Sequence, residues 1–172
     1  MKKLIYFMVF VISILNIQSQ TNKQEAKIIK VEFSFDGYAN QPKYNFIIYC
    51  DKTIIFSAKS NNFMDKLSKD IAAFGSSTKG ANIRFSEIKG IFKSKLTRNE
   101  FVKIESLINL LNVEFEQKNF NSELLHNSTV LLKVKFKDKN VKEIYDIGVN
   151  GSENLIKLYK FLDELRFKKE WE

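Results

Sequence analysis

The chain has 172 residues, 44% of them hydrophobic with sixteen Phe, and carries a formal charge of +8. That length is one domain's worth and can bury a core without staples, and a single cysteine, Cys50, excludes an internal disulfide. The charge invites a nucleic-acid reading, but Arg84, Arg98 and Arg166 are the only arginines; specific phosphate and base recognition leans on arginine's planar fork, so solvated lysines are expected and specific nucleic-acid binding is not.

Lys2 and Lys3 form a short positive region, residues 4–17 are almost uninterruptedly apolar, and Gln18-Ser19-Gln20 is small and polar. The apolar run is about 14 residues, against the roughly 20 that a spanning helix needs. Residues 1–20 therefore read as a signal peptide cleaved after Ser19 or Gln20. The expectation is an exported protein, periplasmic or secreted, with no transmembrane segment in its mature chain and one domain over residues 21–172. Without Lys2 and Lys3 the charge is +6.

Residues 28–35 alternate as a first strand, and Asp36-Gly37 opens a turn reaching Gln41. Pro42 starts the next strand; residues 44–50 and 53–58 are β-branched and aromatic runs around Asp51-Lys52, which predicts a two-residue hairpin. Cys50, at the end of such a run, is expected to be buried. Residues 60–82 break the pattern as an inserted short helix, with Phe63, Leu67, Ile71 and Phe74 at helical spacing and a Gly/Ser-rich loop after Gly75. Residues 84–96 return to strand, weakened at Gly90.

Thr97-Arg98-Asn99-Glu100 is a capping box, followed by Phe101, Ile104, Ile108 and Leu111 on one helical face, with Leu107 beside them. A second helix starts after Ser152, with Leu155, Leu158, Leu162 and Leu165 inward. Residues 130–137 and 141–147 read as another hairpin around residues 138–140. The fold class is α+β: an antiparallel sheet built from hairpins, two main helices packed on one face, and a short inserted helix. Leu107, Ile108, Leu158 and Leu162 are the expected core links between helices and sheet.

Chemistry-bearing constellations are sparse. One histidine, His126, excludes sites that need two, including the usual catalytic zinc triads. A Cys50–His126 nucleophile pair would need Cys50 exposed and activated, against its apolar context. Glu114 and Glu116 flank Phe115 and would share one side of an extended segment, read as a solvated edge. No phosphate-cradling glycine loop, dinucleotide fingerprint or nucleophile elbow is present. No catalytic, metal or cofactor residue is assigned, and no cofactor is expected. Lys133, Lys135 and Lys137 alternate with Val134 and Phe136, so one strand face is a basic ladder: a solubilising edge, or a strip for an anionic surface. That ladder and the Phe63, Leu67, Ile71 and Phe74 stripe are the binding candidates.

Pro42-Lys43-Tyr44 opening a hairpin, Lys89-Gly90-Ile91-Phe92 leading into Leu96 and Phe101, the later hairpin and the closing Leu-rich helix carry a resemblance. Over residues 28–58 and 87–165 the chain resembles a family known only as a domain of unknown function, in small exported proteins of Bacteroidetes-type bacteria. The resemblance implies a fold and a compartment and no activity. Members often carry Cys-x-Gly-x-Cys-Pro-x-Tyr at the first hairpin, where this chain has Gly37-Tyr38-Ala39-Asn40-Gln41-Pro42-Lys43-Tyr44. Both cysteines are absent, so no disulfide, redox or metal role carries over.

The functional expectation is a non-catalytic exported envelope module, a monomer, binding a protein partner or an anionic cell-surface component. The alternatives are a hydrolase whose carboxylates converge only in the fold, and a small inhibitor or immunity-type protein.

Overall fold

The computed structural model describes residues 27–62, 87–121 and 127–172. Along these residues run β1 (Ile28–Asp36), β2 (Lys43–Tyr49), β3 (Thr53–Ser60), β4 (Gly90–Lys95), α1 (Arg98–Asn109), α2 (Asn112–Gln117), β5 (Asn119–Phe120), β6 (Thr129–Phe136), β7 (Val141–Ile147) and α3 (Glu153–Lys168). The strands form one sheet in the order β4-β3-β2-β1-β6-β7-β5. Every pairing is antiparallel except β5 with β7, so the antiparallel expectation holds for all but a two-residue edge stub.

Period-two alternation builds the sheet, because successive side chains point to opposite faces. Val31 and Phe33, Tyr44, Phe46 and Ile48, Phe56, and Leu132 and Val134 are buried, while their neighbours along each strand are not. The buried rings meet directly: Phe46 and Phe56 centroids lie 5.2 Å apart, and Tyr44 and Phe46 5.4 Å. The first turn needs its glycine, since a Cβ on Gly37 would sit 2.5 Å from the Pro42 carbonyl oxygen.

The second hairpin corrects two expectations. Its loop has three residues, Cys50, Asp51 and Lys52, with the Lys52 N–H donating to the Tyr49 carbonyl at 2.9 Å and Lys52 itself at φ 67°. A type I turn closed by a left-handed residue is the usual three-residue solution. Asp51 fixes it by accepting from the Thr53 N–H at 2.9 Å and the Thr53 hydroxyl at 2.8 Å. These bonds, with the Lys95 ammonium, hold the Asp51 carboxyl down at about 2. Cys50 is consequently a turn residue and exposed rather than buried.

α1 carries the full capping box: the Glu100 N–H donates to the Thr97 hydroxyl and the Thr97 N–H to the Glu100 carboxylate. Its buried stripe is Ile104, Leu107 and Ile108, followed by Leu111. The next turn continues as α2, where an extended segment was expected. Leu111 and Phe115, four residues apart, are both buried, and the Phe115 N–H donates to the Leu111 carbonyl at 3.0 Å. α3 is capped by the Ser152 hydroxyl and buries Leu155, Leu158, Leu162 and Leu165.

The two long helices run in opposite senses across the strands. α1 leaves β4, and the chain after α2 reaches β7 where the Tyr145 N–H meets the Lys118 carbonyl at 2.8 Å. α3 starts beside β7 and ends over β2, where the Tyr44 hydroxyl donates to Asp163 at 2.7 Å. The Lys169 ammonium, 2.5 Å from Glu100, ties the end of α3 to the start of α1. The tail then covers the outer edge of the sheet: Trp171 packs 5.0 Å from Phe56, and Lys93 and Glu172 exchange backbone hydrogen bonds. Blocking that edge removes a template for intermolecular strand pairing. Among the described residues, no helix is long and apolar enough to cross a membrane.

Candidate functional site

The face of the sheet away from the core is read row by row from the strand register. One row runs Lys93, Ile55, Ile47, Glu32, Lys133, Glu143 across β4, β3, β2, β1, β6 and β7. The row beside it runs Tyr49, Lys30, Lys135, Val141. Between these rows lies a shallow concavity of about 270 Å³ lined by Lys30, Glu32, Lys133, Lys135 and Val141.

Three lysines against two glutamates set its field: Glu32 in the lining, and Glu143 paired with Lys133 from β7. Lys30 reaches Glu32 at 2.5 Å, with its ammonium 5.9 Å from the centre of the Tyr49 ring. Lys133 reaches Glu143 at 3.0 Å. That hydrogen bond and the carboxylate's charge raise the Lys133 pKa, with Glu32 adding to them. Lys135 has no acidic partner among the described residues and stands directly across from Lys30. Like charges placed directly opposite on paired strands are destabilising; Glu32 beside Lys30 offsets part of that cost for the Lys30–Lys135 pair, and a bound anion would relieve the rest.

The predicted ladder is thus partly reshaped. Lys133 and Lys135 share this outer face, while Lys137 falls one residue beyond β6, exposed in the turn to β7. The register brings Lys30, Glu32 and Val141 to the ladder, and the sequence reading did not assign them. Their signal was the alternation of Lys30 and Glu32 with Val31 and Phe33; which strand would lie alongside was not visible. Phe63, Leu67, Ile71 and Phe74 lie outside the described residues, as does His126, so the Cys50–His126 pair is not placed. The described ends of that stretch meet: the Ile88 N–H donates to the Asn62 carbonyl at 2.7 Å, and the Asn61 N–H to Glu87 at 2.6 Å.

Two further polar clusters lie against the core. Arg166, 4% exposed, pairs with Asp163 at 2.7 Å, donates to the Asn62 side chain at 3.0 Å and lies 4.4 Å from the Tyr44 ring centre. Burial first, then the Asp163 charge, pushes the Tyr44 hydroxyl pKa well above its usual value.

In the second cluster, fully buried Asp146 accepts from the N–H groups of Asn150 and Gly151, at 3.0 and 3.1 Å. These bonds pin the loop in which Val149 takes φ 57°, a left-handed conformation costing of order 1–3 kcal/mol. Glu114 corrects another expectation: it is 6% exposed and accepts from the Ser152 hydroxyl, while Glu116 alone faces solvent. The helical backbone of α2 separates the two carboxylates that an extended segment would have aligned. Tyr159 is buried, and its hydroxyl has no hydrogen-bond partner among the described residues. Burial, then the charge of Asp146, raises its pKa.

Each buried carboxylate is already taken by a backbone N–H or a hydroxyl of the fold, so both clusters hold loops and helix ends together. Among the described residues, no group of three or more His, Cys, Asp or Glu is gathered to hold a metal ion. Among the described residues, lysines stand beside half-exposed and exposed apolar side chains on the outer face.

No curated protein and no solved structure matches the chain. A family model described as a domain of unknown function (DUF6438) matches residues 36–166, from the last residue of β1 into the final turn of α3. The match spans most of the chain and all of its long elements except β1, and the chain belongs to that family.

Proposed function

We propose that this chain is an exported, non-catalytic module that docks on an anionic component of the cell envelope through the outer face of its sheet. The reading takes α1 and α3 as covering one face and leaving the other to a partner. The observation that carries it is the lysine-lined concavity at Lys30, Lys133 and Lys135, where Lys135 has no acidic partner among the described residues. Lysine supplies a point charge without a fixed fork, which suits an extended anionic surface better than one shaped ligand. Lys30, Lys93, Lys133 and Lys135 against Glu32 and Glu143 leave the face net positive, and two such faces repel, which favours a monomer.

Export rests on the layout of residues 1–20. Intact mass of the native protein is expected to place its first residue at Gln20 or Thr21. A native chain still starting at Met1 and held in the membrane fraction would overturn the export reading.

The docking reading is tested by sedimenting the mature protein with washed envelope fragments from its own host. It is expected to pellet at low salt and to be released at about 1 M salt, where the screening length falls to roughly 3 Å. A protein left in the supernatant at low salt would refute docking, and retention unchanged by salt would refute its electrostatic basis.

A further inference from the structure

Resting on that docking reading, we propose that the anionic component is a phospholipid surface, with the Lys30–Lys133–Lys135 concavity seating a lipid phosphate.

The argument starts from what stands beside the charges. In the charged row, Ile55 and Ile47 lie between Lys93 and Glu32. Val141, 52% exposed, closes the row of Lys30 and Lys135, and Ile91, 77% exposed, stands at the β4 end of the face. Tyr49 sits next to Lys30, and Tyr145 is 42% exposed on β7. Isolated exposed aliphatics need no explanation, but aliphatics interleaved with lysines and tyrosines across one sheet face fit a membrane interface. Lysine stems lie along apolar surface while their heads reach phosphate, and tyrosine rings favour the headgroup level.

The charge pattern selects among occupants. A second copy of this face would bring one net-positive face against another. A nucleic acid would be met without arginine, since Arg84, Arg98 and Arg166 are the chain's only three and Arg166 is buried against Asp163. A lipid phosphate between Lys30 and Lys135 offsets the cross-strand like-charge pair found among the described residues of the face and leaves the Glu32 and Glu143 ion pairs in place.

The test uses mature protein and vesicles of phosphatidylcholine with or without phosphatidylglycerol, read by flotation. Binding is expected only with phosphatidylglycerol. Each lysine near an anionic surface contributes about fivefold, so K30Q/K133Q/K135Q is expected to weaken vesicle binding about a hundredfold. K103Q/K157Q/K160Q makes the same net-charge change at exposed helix positions and is expected to stay within about twofold of the parent, because screening confines each charge to its surroundings. I91N/V141N is expected to weaken vesicle binding severalfold while leaving binding to a soluble acidic polysaccharide unchanged.

Equal losses in the two triple variants would overturn the site. An I91N/V141N variant with undiminished vesicle binding would overturn the lipid surface, as would polysaccharide binding without vesicle binding. Envelope sedimentation without vesicle binding rejects the lipid and leaves docking standing. Failure in both assays rejects both. Far-UV circular dichroism of each variant checks that it is folded before binding is compared.

Discussion

Asp163→Ala is expected to destabilise the domain by about 3–5 kcal/mol, the range for leaving a buried charge without its partner. The side chain of Arg166 is 5% exposed and that of Asp163 is 28% exposed. The pair is therefore asymmetric: Asp163 still reaches water, whereas the guanidinium depends on the protein for its counter-charge. Removing the carboxylate leaves Arg166 with the Asn62 side-chain oxygen and the Tyr44 and Phe167 rings, and takes the acceptor from the buried Tyr44 hydroxyl. The damage should spread, because the Asn62 side chain also donates to the Lys43 and Ser60 carbonyls, each at 2.8 Å. Asp163→Asn keeps an acceptor for Tyr44 but not the charge, and should fall between parent and alanine variant. Urea unfolding of the three proteins checks the order. A loss below about 1 kcal/mol for Asp163→Ala would mean the pair behaves like a solvent-screened surface bridge.

Leu158→Ala is expected to cost about 2–5 kcal/mol, from lost transfer energy and the cavity left behind. Leu158 is 0% exposed, in the middle of α3, with Leu155 and Leu162 on the same buried stripe. Its loss should lower the denaturant midpoint at an unchanged slope, since the surface exposed on unfolding is nearly the same. An unchanged midpoint would show that α3 is peripheral to the core.

Both positions bear on how much of the fold was legible. Leu158 was visible because an apolar residue every three or four places predicts a buried helical stripe before any tertiary contact is known. The capping box at Thr97 and the Ser152 cap were legible for the same local reason. Arg166 was not: an Asp and an Arg three apart on a helix read as a surface pair, and only β2 and Asn62 close them in. α2 was missed because Leu111, Val113 and Phe115, separated by Asn112 and Glu114, imitate strand alternation. The segment is helical because Leu111 and Phe115 reach the core together and Glu114 finds Ser152, a partner 38 residues away. Cys50 followed the periodicity of its strand on paper, but the strand ends before it, and hairpin loop length depends on which residue tolerates a positive φ.

The candidate site divides along the same line. Lys133 and Lys135 were legible as a ladder from one strand's alternation. That Lys30 stands opposite Lys135, that Glu32 and Glu143 flank Lys133, and that Val141 closes the concavity are matters of register between strands far apart in sequence.

The central claim, that the outer face of the sheet is the docking surface, is tested most directly by lysine footprinting. The mature protein is labelled with an amine-reactive reagent while free and while bound to envelope fragments, and modification is quantified at each lysine. Docking through the outer face predicts reduced labelling at Lys30, Lys133 and Lys135 in the bound state, with Lys103, Lys157 and Lys160 on the helices unchanged. Protection of the helix lysines, with Lys30 and Lys135 labelled as in the free protein, would contradict the account.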